Sequence, residues 1–300
     1  MEKTRQHNLP FRVKLAFGSG NIYGGAISIY NFFYAFFMTD IIGLNAISAG
    51  SVVLITQIWD AVTDPLMGYI SDRTHSDRGR RRVYFLAGIA PIFVTFVILW
   101  LPLRLTRQWE KYLFVLAGCL LFRTVYTMVM IPYQAMKAEL SLDYNERSTV
   151  NLFCMLFSSV AAITGLLIPL WLTNAFSSQP QKAYLYIAFG LGLLFMLPWP
   201  WVYRATEGRD RFTPSQKDPA SLKDLGLALI RPFGIRSFRV LAGIYLAANI
   251  ALDMLAMTFI YFTRYCLPDT ISSLGNRLAL PITLALGVQF IAIPTAFYFS

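Results

Sequence analysis

Residues 57–72 read QIWDAVTDPLMGYISD, and this stretch decides the fold. It sits in apolar surroundings that suit a membrane interior, yet it sets Asp60 and Asp64 one helical turn apart on the same face. A carboxylate at mid-bilayer depth costs roughly 2.5–3.5 kcal/mol on insertion scales. Two of them imply a use: binding a cation, relaying a proton or pairing with a buried base. The plainer reading is an ion pair that only ties helices together.

The rest of the chain agrees with a membrane setting. It has 300 residues, 56% hydrophobic and 15% aromatic, with 14% charged and a mean hydropathy of +0.52. That composition excludes an ordinary soluble domain. A bilayer core takes about 20 apolar residues per helix. Eight apolar blocks meet that need: 13–39, 46–71, 83–103, 112–136, 149–175, 184–203, 238–264 and 278–300. The expected fold is therefore an all-α polytopic membrane protein. Cys119, Cys154 and Cys266 are scattered without CxxC spacing, which argues against a disulfide framework or a zinc site. The basic start, MEKTRQHNLPFRVK, precedes an apolar stretch too long for a cleaved signal, so the first block reads as an uncleaved helix.

A formal charge of +10 could suggest nucleic acid, but its placement points to lipid. With the N-terminus in the cytoplasm, nineteen Lys and Arg residues fall on the inner side and six on the outer. Arg123 alone lies deep within a block, away from its ends. The bias is what the positive-inside rule expects. The chain then divides into a six-helix bundle over 1–203, a cytoplasmic linker over 204–237, and two helices of a second bundle over 238–300. Within the linker, SLKDLGLALI (221–230) reads either as an amphipathic surface helix or as plain linker.

Five motifs in order resemble the glycoside–pentoside–hexuronide:cation symporters, the melibiose-permease branch of the major facilitator superfamily. They are KLAFGSGNIYGGAISIYNFFYAFFMTDIIGL (14–44), WDAVTDPLMG (59–68), SDRTHSDRGRRRVY (71–84), YTMVMIPYQAM (126–136) and DYNERS (143–148). The resemblance covers much of 10–240. It implies a twelve-helix transporter, so eight blocks imply a chain that stops partway through that architecture.

The side chains carry their own chemistry. Asp60, Asp64 and the adjacent Thr63 offer hard oxygen ligands suited to Na⁺, Li⁺ or a proton. Two like charges one turn apart repel, and a proton on one relieves this as a metal ion would. In the fourth block Arg123, Thr127, Met130 and Gln134 form one helical stripe, bordered by Tyr126. The second and fourth blocks run in the same direction, so Asp60 and Arg123 fall near one depth, close to the midplane where transporters place their sites. The resemblance implies a cation site of two aspartates, an asparagine and a threonine. Asp60, Asp64 and Thr127 match it, and Thr63 stands where the asparagine is common. The implied galactoside site departs: Tyr23-Gly24-Gly25, Met130, Gln134 and Met155 replace its acids, tryptophan and arginine. Melibiose is not the expected solute.

Other candidate solute contacts are Asn21, Ser28 and Asn31 in the first block, and Asn249 and Asp253, with Tyr245, in the seventh. Small-residue stripes also serve helix packing. Arg123 either neutralises Asp60 or Asp253, or receives an anionic solute such as a uronide. Gly68, Asp72, Arg73, Gly79, Arg80 and Arg81 make up the 72–82 loop motif. The resemblance implies that this loop holds the two halves in one state, and the alternative is a solvated basic loop that sets topology.

The expected function is cation-coupled symport of a sugar, glycoside or hexuronide. Na⁺ or H⁺ would be the coupling ion, and the chain would lie as a multi-pass protein in a cell membrane, its N-terminus cytoplasmic. No other cofactor, structural metal or nucleic-acid partner is expected. The alternatives are a lysolipid symporter, a truncated non-transporting family member, or a membrane enzyme. The last is disfavoured by His7 and His75 standing far apart and by the lack of HExxH, GxSxG or a phosphate-cradling loop.

Overall fold

The computed structural model describes residues 9–103, 105–141, 143–176, 178–209 and 231–261. These residues are helical apart from short connections. The helices are α1 (Phe11–Ser19), α2 (Gly25–Phe36), α3 (Ala46–Arg73), α4 (Arg82–Leu99), α5 (Gln108–Glu139), α6 (Tyr144–Ala175), α7 (Pro180–Met196), α8 (Pro198–Ala205) and α9 (Arg236–Tyr261). Among the described residues, five stretches are long and apolar enough to cross a membrane: Ala46–Arg73, Arg82–Leu99, Gln108–Glu139, Tyr144–Thr173 and Gln181–Ala205. The protein is an integral, multi-pass membrane protein. The eighth block, the 221–230 segment, His7 and Cys266 lie outside the described residues.

Helix ends follow local chemistry. Asn45 caps α3, its side chain accepting from the Ser48 amide at 2.8 Å. Asp143 caps α6 by accepting from the Glu146 amide at 3.0 Å. Pro180 opens α7, where a missing N–H costs nothing. Several helices outrun their apolar blocks. α5 extends to Gln108 and Glu139, because helical hydrogen bonding continues into the polar flank once started.

Two blocks read as single helices are divided. The first runs as α1, a 3₁₀ turn over Gly20–Gly24, then α2 and a wide turn over Phe37–Ile41. Three glycines at 20, 24 and 25 weaken the α ladder there. The sixth splits into α7 and α8 at Leu197, where Pro198 has no N–H to give.

α1 and α2 pack on α6, α3 packs on α5, and α4 bridges α5, α7 and α8. α9 lies against α2. In lipid the drive to pack comes from close van der Waals fit rather than water exclusion. The fit is tight here. A Cβ on Gly18 would sit 2.7 Å from the Phe153 Cβ, and one on Gly25 would sit 2.6 Å from the Ala161 Cβ. Aromatic rings fill the centre, with Tyr23, Tyr30, Tyr34, Trp100, Phe122 and Trp199 buried. α3 is the contrast: Leu54, Ile58, Val62 and Ile70 are exposed on its outer side. Its inner side meets α5, and there the acids sit.

Candidate cation and solute site

The polar centre lies where α3 and α5 meet. The Arg123 guanidinium reaches Asp60 through one contact, Nη1 to Oδ2 at 2.7 Å. Its carbon stands 4.6 Å from the centre of the Tyr30 ring on α2, in cation–π geometry. One turn along, Thr127 Oγ1 donates to Asp64 Oδ1 at 2.7 Å. Arg123 and Thr127 are 7% and 3% exposed, so this chemistry is shielded from bulk solvent. Asp60 Oδ1 and Arg123 Nε are buried and make no hydrogen bond among the described residues. Two carboxylates one turn apart and one guanidinium leave a single negative charge when all three are ionised. A hard monovalent cation or a proton suits that remainder, and the partnerless Asp60 oxygen is a ready ligand.

Thr63 stands apart from the carboxylates. Its hydroxyl donates to the Trp59 carbonyl on its own helix at 3.0 Å. The Trp59 indole N–H in turn reaches Thr124 Oγ1 on α5 at 3.0 Å. Tyr126 lies beside Tyr23, with ring centres 5.2 Å apart. Gln134 is exposed and lines an open groove of about 430 Å³ with Lys137, Tyr144, Arg147 and Asn151. The groove lies some ten residues along α5 from the acids, so the structure does not join Gln134 to them.

The helix-one candidates divide. Asn21 Nδ2 donates to the Cys154 carbonyl on α6 at 2.9 Å, which makes it part of the α6 contact. Ser28 and Asn31 are half-buried on α2. Asn249 Nδ2 donates to the Tyr245 carbonyl at 2.7 Å, within α9. The backbone of Asp253 lies in α9, and its side chain is outside the described residues.

The loop between α3 and α4 is a second charge group. Arg80 Nη2 lies 3.0 and 3.1 Å from the two oxygens of Glu139, at the end of α5. Arg81 bridges Asp72 at 2.6 Å and Glu139 at 2.7 Å. Arg73 bonds the Tyr69 hydroxyl and lies over that ring. Arg82 donates to the Tyr203 carbonyl at 2.9 Å. Gly79 has φ +100, a conformation that favours glycine. At Gly68 a Cβ would find Ile131 at 3.9 Å, an ordinary contact distance. The ion pairs of this loop among the described residues link α3, the loop and α5.

Sequence reading missed Tyr30 and Glu139. No periodicity separates Tyr30 from its aromatic neighbours, whereas Glu139 was findable as the acid that closes α5. It also missed what two of the motifs hold. Glu146 of DYNERS bonds Lys14 at 2.8 Å and accepts from the Leu9 amide at 3.3 Å, fastening the start of α1 to α6. Gly43 takes φ +72, and its carbonyl accepts from Gln108 at 2.9 Å and Lys111 at 3.1 Å. No group of three or more His, Cys, Asp or Glu able to hold a metal forms among the described residues.

Residues 16–299 match the family described as MFS/sugar transport protein. An uncharacterized symporter of Synechocystis sp. is 34% identical over 78% of this chain and 45% of its own length. A putative glycoside/cation symporter of Escherichia coli, YagG, is 28% identical over 86% of this chain and 55% of its own. A sodium-dependent lysophosphatidylcholine symporter of Danio rerio is 28% identical over 45% of this chain and 25% of its own. The chain spans about half the length of the first two relatives.

Proposed function

Because the chain belongs to the MFS/sugar transport protein family, we propose that it works in cation-coupled secondary symport of a sugar, glycoside or hexuronide. We place it in the glycoside–pentoside–hexuronide branch. The observation that carries this reading is the α3–α5 centre, where Asp60 and Asp64 meet Arg123 and Thr127 with one negative charge left over. Asp60, Asp64 and Thr127 hold the coupling cation, Na⁺ or H⁺, and Thr63 turns toward it when the site fills. Ser28, Asn31, Tyr126 and Arg123 face the solute, with Asn249, Asp253 and Gln134 along its path. Cation binding favours the solute-competent state, and the reciprocal holds by linkage. Access alternates as one helix bundle rocks on the other.

The 1–203 bundle, the 204–237 linker and the start of a second bundle over 238–300 form the moving parts. Gly68, Asp72, Arg73, Gly79, Arg80 and Arg81 act as the latch at the cytoplasmic end. The nineteen-to-six distribution of basic residues supports an N-terminus on the inner side. A cysteine label in the 72–82 loop should then be protected in intact cells, and one at 182 should react. The opposite pattern would reverse the orientation.

Uptake by vesicles containing the full chain tests the function. A sodium or proton gradient should drive accumulation of one or more members of a panel of glycosides and uronides. Accumulation indifferent to both gradients would sink the symport reading. Likeness to the Danio rerio protein favours a second reading, a lysolipid as solute. Including a lysophosphatidylcholine in the panel separates the two.

A further inference from the structure

We propose that Arg123 is a tethered cation that trades places with the coupling ion on Asp60, and that its release creates the seat for an anionic group on the solute. This rests on the symport reading above and names its coupling step.

The pair is built to be left. Arginine and a carboxylate can form two parallel hydrogen bonds. Here they form one, at 2.7 Å. Among the described residues each member keeps a buried polar atom without a partner, Asp60 Oδ1 and Arg123 Nε. A buried polar atom left unpaired is costly, so the pair is held less firmly than its charges allow. A cation that binds Asp60 satisfies the orphan oxygen and weakens the hold on the guanidinium. The freed guanidinium keeps its place over Tyr30, whose ring face stabilises it without the carboxylate. Its Nη1 has then lost its acceptor and its Nε has none among the described residues, and an oxyanion is the natural one.

Charge counting agrees. Before exchange, Asp60, Asp64 and Arg123 carry a net single negative charge, with the guanidinium spent on Asp60. After a monovalent cation enters, the site as a whole is neutral, with the carboxylates holding the cation and Arg123 left without its direct counter-charge. A carboxylate on the solute pairs Arg123 directly and returns the site to the single negative charge it began with. Asp64 is excluded as the exchange partner because Thr127 already donates to it. The solute class is therefore one carrying a carboxylate, with a uronide as the sugar form.

The test uses the full chain in proteoliposomes, with methyl glucuronide and the matching neutral methyl glucoside as probes. Cation affinity is read with sodium and with protons in parallel. In the wild type the glucuronide should raise cation affinity about tenfold, within the usual range of coupling, and the glucoside should not. Arg123→Gln removes the competitor, so the cation should bind more tightly without solute and the glucuronide effect should vanish. Arg123→Lys keeps a charge on the tether and should retain the weaker cation affinity. Asp60→Asn frees Arg123 permanently, so glucuronide should bind equally with and without cation.

Equal effects of the two probes on a wild type that binds cation, including no effect of either, overturn the exchange and leave symport standing. So does unchanged or weaker cation affinity in Arg123→Gln. If Arg123→Gln does not fold, the Asp60→Asn, Arg123→Gln double variant removes both charges. Cation-dependent glucuronide binding in it would overturn the proposal. A wild type that binds no cation at all removes the symport reading and the exchange together.

Discussion

Two charge groups share the same pair of helices and are built in opposite ways. At mid-depth Asp60 of α3 meets Arg123 of α5 through one contact. At the end of the same helices Asp72 of α3 and Glu139 of α5 are cross-linked by Arg80 and Arg81 through at least four short contacts. The polarity is also reversed: α5 supplies the base at mid-depth and an acid at its end. The first group is buried and thinly bonded. The second is richly bonded and partly wet, with Asp72 57% exposed and Glu139 35%. A redundant set of contacts survives the loss of one, so it fastens. A single contact has no such reserve, so it switches.

The largest expected effect breaks the mid-depth pair. Arg123→Ala leaves Asp60 uncompensated, a change that costs about 3–5 kcal/mol where buried pairs have been broken. Thermal stability should fall accordingly, and Asp60→Asn in the same chain should restore part of it. If the two single effects simply add, the residues are not coupled. Asp64→Asn comes next. It keeps shape and removes one charge, so insertion should be intact while gradient-driven uptake is lost. Normal coupling in that variant would make the two carboxylates structural.

Effects at the loop should be smaller. Gly79→Ala forces a side chain into φ +100, which costs of order 1–3 kcal/mol. Melting should move, while cation affinity should stay put. A shifted affinity would show that the loop and the mid-depth site act as one unit. The smallest effect is expected for Glu139→Gln. Glu139 is itself 35% exposed, and the glutamine keeps an oxygen that Arg80 and Arg81 can still donate to, so the loss should stay well below that of Arg123→Ala. A loss as large as that of Arg123→Ala would erase the distinction between fastening and switching.

The sequence made the helices legible wherever apolar blocks were long, because length and hydropathy alone define a membrane span. It also made Asp60 and Arg123 legible as partners, since a shared direction and depth bring two charges together in a medium that tolerates neither alone. Other features were hidden for physical reasons. Asn21 looks like a solute ligand on a helical wheel, yet α6 approaches so closely at Gly18 and Gly25 that a backbone carbonyl takes its amide. Thr63 aligns with the acids, but a helix offers its hydroxyl a nearer acceptor one turn back. Tyr30 could not be distinguished among many aromatics until a guanidinium was seen above it.

The bond from Arg82 to the Tyr203 carbonyl joins residues 121 apart in sequence. At ordinary synthesis rates of about 5–20 residues per second, the loop leaves the ribosome roughly 6–24 s before its last partner exists. Glu139 arrives earlier and can engage Arg80 and Arg81 first. This end of α3 and α5 is thus fastened in order of birth, with α8 as the closing piece. A nascent chain released after residue 200 should therefore lose its 72–82 loop to protease faster than one released after residue 209. Equal rates would show that the loop sets without waiting for α8.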